Sequence, residues 1–192
     1  MMGTKSDLRH RILRLRDGLS ASERRIHSEM IAARLAALER WKNARSVFTY
    51  VSFRSEVETW SIMEMARREG KVLAVPFTDY ARNVIIPSVI DDPEKDLAPA
   101  RFGIMEPTKD HIRPLEAGEI DITLVPGSVF DLNGGRIGYG MGFYDRLLPQ
   151  LRSDCLKIAL AFEVQIVPEA PRSDHDYCVE MIITEGRIVA IP

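Results

Sequence analysis

Apolar residues recur at helical spacing near the start of the chain. Residues 5–17 place leucine and isoleucine on one face with basic side chains around them, which predicts an amphipathic helix. Ser20 and Glu23 then form a capping-box pattern that opens a second helix, expected to run to about Trp41. The N-terminal region is therefore predicted to be a helical pair.

From Ser46 onward, short β-branched and aromatic runs replace the helical spacing. Helices are expected from near Thr59 to Gly70 and over FYDRLLPQL, and residues 77–118 are expected to be loops with one short hairpin. The predicted strands are SVFTYV (46–51), KVLAVP (71–76), DITLVP (121–126), KIALAF (157–162) and MIITEGRIVAI (181–191).

This alternation of strands and helices predicts an α/β fold as a single domain over residues 1–192. It favours a mostly parallel central sheet with helices on both faces, after the N-terminal helical pair. Ligands in such sheets bind beyond the carboxyl ends of the strands, so we expect a nucleotide site there.

Composition narrows the function without identifying it. The 192 residues are 45% hydrophobic and 28% charged, which is ordinary for a globular protein. With no apolar run near the roughly 20 residues of a membrane span and no secretory signal pattern, we expect a cytoplasmic protein without a membrane partner. A net charge of −2 argues against nucleic acid as the partner, and we expect a monomer that acts on small molecules.

A glycine-rich loop is the most informative segment. GGRIGYGMGFYDRLL (134–148) places Gly138, Gly140 and Gly142 directly before the helix expected at Phe143. Glycine permits close backbone approach, and N–H groups ahead of a helix cradle phosphate oxygens. A tight turn alone would also need glycine, and Asn133-Gly134-Gly135 is interpreted as a hairpin turn, so phosphate binding is one of two interpretations.

The loop matches neither of two common nucleotide motifs. It has no Gly-Lys-Ser/Thr, as a Walker A loop would, so the phosphate charge must be met by other groups. A dinucleotide fingerprint is disfavoured because about a dozen residues separate the strand from Gly138. Arg136 is adjacent, and Lys5 and Arg9 lie one turn apart on the first helix, although a solvated basic face would look the same.

Two carboxylates could complete such a site. Asp145 falls in the first turn of the helix after the loop, where it could complement the helix dipole or hold Mg²⁺. Asp176 precedes the last strand region and could be a second oxygen ligand or an ordinary turn residue. His175, beside it, could orient that loop.

VPGSVFDLNGGRIGYGMGFYDRLL (125–148) resembles the signature of the 5-formyltetrahydrofolate cyclo-ligase family, also called methenyltetrahydrofolate synthetases. The family pattern is roughly V-P-G-x-x-F-D followed by R-x-G-x-G-x-G-Y-Y-D-R. Further matches follow in order along nearly the whole chain: K-x-x-L-R (5–9), L-S-x-x-E-R (19–24), E-V-x-T (56–59), G-K-V (70–72), F-G-I-x-E-P (102–107), A-F-E-x-Q (161–165), H-D and I-x-T-E.

The resemblance implies conversion of 5-formyltetrahydrofolate to 5,10-methenyltetrahydrofolate, with ATP as co-substrate, Mg²⁺ as cofactor, and ADP and phosphate as products. The implied scheme passes through a phosphorylated formyl group, an iminophosphate. An alternative is a nucleotide-binding relative of the same fold with a different, thiamine-linked substrate. A third interpretation, a non-catalytic binding module, would predict degraded phosphate or metal residues, and these are intact.

The resemblance also implies the site residues. Arg136 and Tyr144 would be catalytic, and Asp145 and Asp176 would hold the metal. ATP would be bound by Lys5, Ser6, Asp7, Leu8, Arg9, Arg136, Ile137, Gly138, Tyr139, Gly140, Met141, Gly142, Phe143 and Tyr144. The folate substrate would be bound by Arg9, Val51, Glu56, Tyr139, Gly140, Met141, Gly142 and Phe143, with Glu56 on the pterin.

The chain departs from the family pattern at four positions. Tyr139 stands where arginine is often found, and Phe143 replaces a common tyrosine. Phe77 follows Pro76 where a basic residue is frequent, and Glu180 stands where aspartate is usual.

Overall fold

The computed structural model describes residues 4–173 and 176–191. His175 lies outside the described residues. The helices are α1 (Lys5–Asp17), α2 (Ala21–Ala37), α3 (Glu39–Asn43), α4 (Trp60–Arg68), α5 (Pro93–Asp96) and α6 (Phe143–Leu147). Short 3-10 turns occupy Arg101–Gly103, Lys109–His111, Ala117–Glu119, Leu148–Gln150 and Glu163–Gln165.

The strands form three sheets. They are β1 (Ser46–Phe48), β2 (Val72–Asp79), β3 (Val84–Val89), β4 (Leu97–Pro99), β5 (Met105–Pro107), β6 (Ile122–Val125), β7 (Val129–Asp131), β8 (Arg136–Ile137), β9 (Leu156–Leu160), β10 (Ile166–Val167), β11 (Met181–Ile183) and β12 (Ile188–Ala190). The main sheet has the order β12-β11-β9-β6-β1-β2-β3, beside smaller sheets β10-β7-β8 and β4-β5.

The central sheet is mostly parallel, as predicted. The four inner pairs, from β11 through β9, β6 and β1 to β2, are parallel, and the two outermost pairs are antiparallel. Parallel strands buried on both faces need apolar side chains at nearly every position, which explains the continuous apolar runs in the sequence. The predicted α/β class is confirmed.

Alternate residues of each strand enter two separate cores. Val47 packs with α2, α3 and α4 on one face of the sheet, whereas its neighbour Phe48 packs with α6 and β7 on the other. The same alternation divides Leu124 from Val125. Each face of the sheet therefore carries its own apolar layer.

The N-terminal helices begin where capping residues allow. Ser20 and Glu23 make the predicted capping box of α2, and Thr4 makes an equivalent one for α1. The second helix ends at Ala37 rather than continuing to Trp41, because Leu38 is extended and α3 starts anew. The long second helix of the prediction is therefore two helices.

Helix α1 does not cover the main sheet. Its Leu8 and Ile12 pack against the small sheet β10-β7-β8, through Val129, Ile137 and Val167. This packing turns the basic face of α1 toward the segment that follows β8. Within the described residues, no helix is long and apolar enough to cross a membrane.

Two further predicted elements were wrong in extent. The final strand MIITEGRIVAI is a hairpin, because the Thr184 hydroxyl accepts the backbone N–H groups of Gly186 and Arg187 and closes a turn between β11 and β12. The stretch 77–118 holds more strand than a single hairpin: β2 continues to Asp79 and pairs with β3, and β4 pairs with β5.

Candidate active site

One cavity of about 720 Å³ lies at the carboxyl ends of β1, β2 and β6. Its wall includes residues that follow each of these strands: Val51 after β1, Thr78 near the end of β2, and Pro126 after β6. This is the edge at which parallel sheets hold ligands. Every residue from Arg136 to Asp145 also lines the cavity.

Helix α1 presents a stripe of cations to this cavity. Lys5, Arg9, Leu13 and Arg16 line it at helical spacing, so one face of α1 forms one wall. Arg16 is only 3% exposed, and arginine is rarely buried to this extent unless its N–H groups are paired. It was not among the predicted site residues, although its position on the same helical face as Lys5 and Arg9 is visible in the sequence.

Arginine side chains hold the glycine loop at both ends. Arg9 Nε donates to the Gly138 carbonyl at 2.8 Å, and Arg146 Nη2 donates to the Met141 carbonyl at 2.8 Å. Between these points Gly140 has a φ of 97°, in the left-handed region that favours glycine. The hairpin turn predicted at Asn133-Gly134-Gly135 joins β7 to β8.

Arg136 and Asp145 form an ion pair in the wall. Arg136 is 5% exposed, and its Nη2 lies 2.6 Å from Asp145 Oδ1. Its Nε is buried without a hydrogen-bond partner among the described residues. A buried guanidinium with unused donor capacity is suited to a further anionic group.

Asp176 approaches the cavity from the segment before β11. It is paired with Lys5 Nζ and accepts the Ser173 N–H at 2.6 Å. Although partial burial acts to raise the pKa of Asp176, the hydrogen bonds from Lys5 and Ser173 outweigh it and lower the pKa. The carboxylate is therefore ionised at neutral pH.

The chemistry of the two carboxylates fits a magnesium ion shared with phosphates. Asp145 and Asp176 both line the cavity, and Mg²⁺ in nucleotide sites is commonly held by one or two carboxylates plus phosphate oxygens. Across residues 4–173 and 176–191, no group of three or more His, Cys, Asp or Glu side chains forms a complete metal cage. Each carboxylate is instead paired with a cation of the same wall.

Glu56 stands at another part of the cavity wall. It is 9% exposed, and its Oε2 accepts the Phe53 N–H at 2.9 Å while its Oε1 accepts the Tyr139 hydroxyl at 2.5 Å. Burial raises the pKa of Glu56, although the Tyr139 hydrogen bond and the nearby Arg16 charge oppose this shift. Burial of the Tyr139 hydroxyl and the nearby Glu56 charge raise the pKa of Tyr139 in turn.

Two further predicted residues lie beside the glycine loop. Tyr144 stands 6.2 Å from Phe48, ring to ring, and its hydroxyl is buried without a partner among the described residues. Burial raises the pKa of Tyr144. Phe143 contacts Tyr80 edge to face at 5.9 Å between ring centroids.

Three residues of the predicted ATP set lie off the cavity wall. Asp7 accepts the Thr4 N–H and hydroxyl in the α1 capping box, and Leu8 packs in the small-sheet core. Ser6 lies beside His10, with 3.5 Å between Ser6 Oγ and His10 Nδ1. Within the described chain, this leaves Lys5 and Arg9 as the α1 members of that set that line the cavity.

The cavity wall also includes aromatic residues that the sequence did not indicate, among them Tyr80 and Phe102. The Arg101 guanidinium contacts both of these rings, at 4.7 Å from the Tyr80 centroid and 4.9 Å from that of Phe102. Arg54 lies 5.0 Å from the Phe53 centroid. These residues come from the stretch expected to be loops and from the turn after β1, where no periodic pattern marks them.

A family model described as the 5-formyltetrahydrofolate cyclo-ligase family matches residues 1–185. The chain belongs to this family. A 5-formyltetrahydrofolate cyclo-ligase of Mus musculus is 29% identical over 95% of this chain and 92% of its own length. One of Mycolicibacterium smegmatis is 28% identical over 98% and 97%.

A solved structure agrees with these sequence matches. The NMR structure of the Aquifex aeolicus 5,10-methenyltetrahydrofolate synthetase superposes with a TM-score of 0.86 at 33% identity, covering 97% of this chain and 92% of that one. The synthetase from Mycoplasma pneumoniae, at 23% identity and a TM-score of 0.77, shares the fold. The resemblance drawn from the sequence motifs, and the enzyme class it implied, are confirmed.

Proposed function

We propose that this cyclo-ligase converts 5-formyltetrahydrofolate and ATP into 5,10-methenyltetrahydrofolate, ADP and phosphate, in a Mg²⁺-dependent reaction. One observation carries the proposal: a single cavity combines a cationic, glycine-lined wall with a buried carboxylate among aromatic side chains. The first suits phosphate groups and the second suits a flat heterocycle with N–H donors. Its volume lies within the roughly 300–1,000 Å³ typical of ligand sites.

The glycine loop and the α1 cations suit the ATP phosphates. Lys5 and Arg9 stand one helical turn apart, and Arg136 is fixed in place by Asp145. Fixed cations stabilise transferring phosphoryl groups because their orientation does not change during the reaction. Bound ATP would take over part of the pairing that Lys5 now gives to Asp176.

Asp145 and Asp176 are the residues that would hold Mg²⁺. The ion would supply positive charge that offsets the negative charge of the phosphates. Lys5, which pairs with Asp176, would then share its charge with phosphate, while Arg136 would stay in place beside Asp145.

Glu56 is proposed to bind the pterin. A carboxylate can accept two parallel hydrogen bonds from the adjacent ring N–H and amine of a pterin. Val51 is buried and lines the same cavity, so it would provide an apolar wall for the ring. Together they would orient the formyl group toward the loop between Tyr139 and Phe143.

The reaction needs alignment more than a protein nucleophile. The formyl oxygen of the substrate would attack the γ-phosphorus of ATP and release ADP. Nitrogen 10 would then attack the formyl carbon, phosphate would leave with the formyl oxygen, and the nitrogen 10 proton would pass to solvent. Holding two substrates in one cavity converts this to a unimolecular process, in which Arg136 neutralises charge and Tyr144 borders the reacting groups.

The test is the near-ultraviolet absorbance of methenyltetrahydrofolate. Purified protein is mixed with 5-formyltetrahydrofolate in mildly acidic buffer, with MgATP, with ATP plus a chelator, and with Mg²⁺ alone. We expect absorbance to rise only with MgATP and to match the ADP released. No rise, with ATP binding verified by calorimetry, would refute the proposed substrate and favour the thiamine-linked alternative.

A further inference from the structure

The carboxylate proposed for the pterin is covered by a tyrosine of the glycine loop. Glu56 is 9% exposed, and the Tyr139 hydroxyl occupies its Oε1 at 2.5 Å. The Tyr139 side chain is itself 47% exposed and lines the cavity. A ligand entering the cavity therefore meets Tyr139 before it meets Glu56.

A second contact holds the tyrosine in this position. Arg16 Nη1 donates to the Tyr139 hydroxyl at 2.8 Å, and Arg16 Nε is fixed on Ser55 Oγ at 3.0 Å. The hydroxyl thus accepts one hydrogen bond and donates another. The chain Arg16 to Tyr139 to Glu56 links α1, the glycine loop and the turn after β1.

Tyr139 is well placed to move. Tyr139 lies between Gly138 and Gly140. Arginine side chains hold the loop through the carbonyls of Gly138 and Met141, on either side of Tyr139 and Gly140. The backbone of Gly140, at φ 97°, can change conformation at little steric cost. A swing of Tyr139 would alter the same loop that is proposed to contact ATP.

We infer that Tyr139 is a cap on Glu56 that the pterin displaces, and that its displacement couples the folate end of the cavity to the glycine loop. This inference rests on the proposed function. The ligand-free protein would be mostly capped, and folate would bind the uncapped form. The apparent Kd for folate then equals the Kd of the uncapped form divided by the fraction of protein that is uncapped, so a small uncapped fraction weakens binding.

Removing the hydroxyl should make folate bind more tightly. In Tyr139→Phe the Glu56 oxygen loses its donor, and a buried carboxylate oxygen without a partner favours the open form. We expect the Kd for 5-formyltetrahydrofolate, measured by calorimetry without nucleotide, to fall about tenfold, equivalent to about 1.4 kcal/mol. Tyr177→Phe is the matched control, because Tyr177 is exposed and is not a lining residue in the described part of the chain.

A double variant tests whether the effect passes through Glu56. In a Glu56→Gln background, adding Tyr139→Phe should change the folate Kd by less than about twofold. Arg16→Lys, which loosens the cap from its other side, should tighten folate binding in the same direction as Tyr139→Phe. Thermal unfolding within a few degrees of wild type establishes that each variant is folded.

The coupling is measured with MgADP as the nucleotide probe. In wild type, saturating 5-formyltetrahydrofolate should change the MgADP Kd by about fivefold or more, and in Tyr139→Phe by less than twofold. An unchanged folate Kd, or an undiminished change in MgADP affinity, would overturn the inference. Wild-type turnover in the absorbance assay tests the proposed function separately, so failure of the cap is distinguishable from failure of the function.

Discussion

Replacing Asp145 with asparagine separates a structural role from a metal-binding role. Asp145 Oδ1 accepts Arg136 Nη2 at 2.6 Å and the Tyr177 N–H at 3.3 Å. The asparagine carbonyl can still accept from Arg136, so the geometry of the wall is kept while the negative charge is lost. The change therefore removes the full charge of the proposed metal ligand without creating a cavity.

The cost to stability follows from the burial of the pair. Removing one partner of a fully buried ion pair costs about 3–5 kcal/mol. The Asp145 side chain is 26% exposed and asparagine keeps one hydrogen bond, so we expect about 1–2 kcal/mol. For a chain of this size, that lowers the melting temperature by roughly 2–8 °C.

The effect on turnover should be far larger than this loss. Without the Asp145 charge we expect kcat to fall at least about a hundredfold and the Mg²⁺ dependence to shift to higher concentration. The assay is methenyltetrahydrofolate formation across a Mg²⁺ titration, with Asp154→Asn as control because its side chain is 69% exposed. Near-normal activity at ordinary Mg²⁺ would refute the metal assignment.

Three further variants test other parts of the molecule. Glu56→Gln should weaken 5-formyltetrahydrofolate binding about tenfold, measured by calorimetry. Because burial raises the pKa of Glu56 from its usual value of 4.5, the wild-type protein loses stability as the pH rises and the buried carboxyl ionises. In urea titrations, the variant should therefore become more stable relative to wild type between about pH 5 and pH 7.5. Equal stability differences at both pH values would contradict that shift. Asp131→Asn should lower the unfolding free energy by about 2 kcal/mol or more, since Asp131 is fully buried and accepts the Ala170 N–H at 2.9 Å; unchanged urea unfolding would contradict this. Gly134→Ala should cost at least about 2 kcal/mol, because φ is 81° and a Cβ would lie 2.5 Å from the Val179 carbonyl; a wild-type melting temperature would be inconsistent with it.

The fold was predictable for elements that carry a clear local sequence pattern. The apolar runs of β1, β2, β6 and β9 indicate buried parallel strands, and the Ser20 capping box marks the start of α2. The edges of the sheet were not predictable in the same way. The β11-β12 hairpin depends on backbone N–H groups that donate to the Thr184 hydroxyl, and β3 is an edge strand that contains Pro87, so neither follows from periodicity.

The site was only partly visible in the sequence. Glycine spacing and the family motif indicate the loop from Arg136 to Asp145, all of which lines the cavity. The motif does not reveal that Arg16 is buried against Tyr139, because this contact joins residues 123 positions apart. Likewise, Tyr80 and Phe102 reach the cavity wall from a stretch whose strand pairing was not predicted from the sequence. Long-range pairing, rather than local pattern, decides these contacts.

In the proposed reaction, one cavity transfers a phosphoryl group from ATP to the formyl oxygen of the folate. The most direct test uses 5-formyltetrahydrofolate with a heavy oxygen isotope in the formyl group, and mass spectrometry of the inorganic phosphate released. We expect one labelled oxygen in each phosphate formed alongside methenyltetrahydrofolate. Unlabelled phosphate accompanying the same product would contradict it.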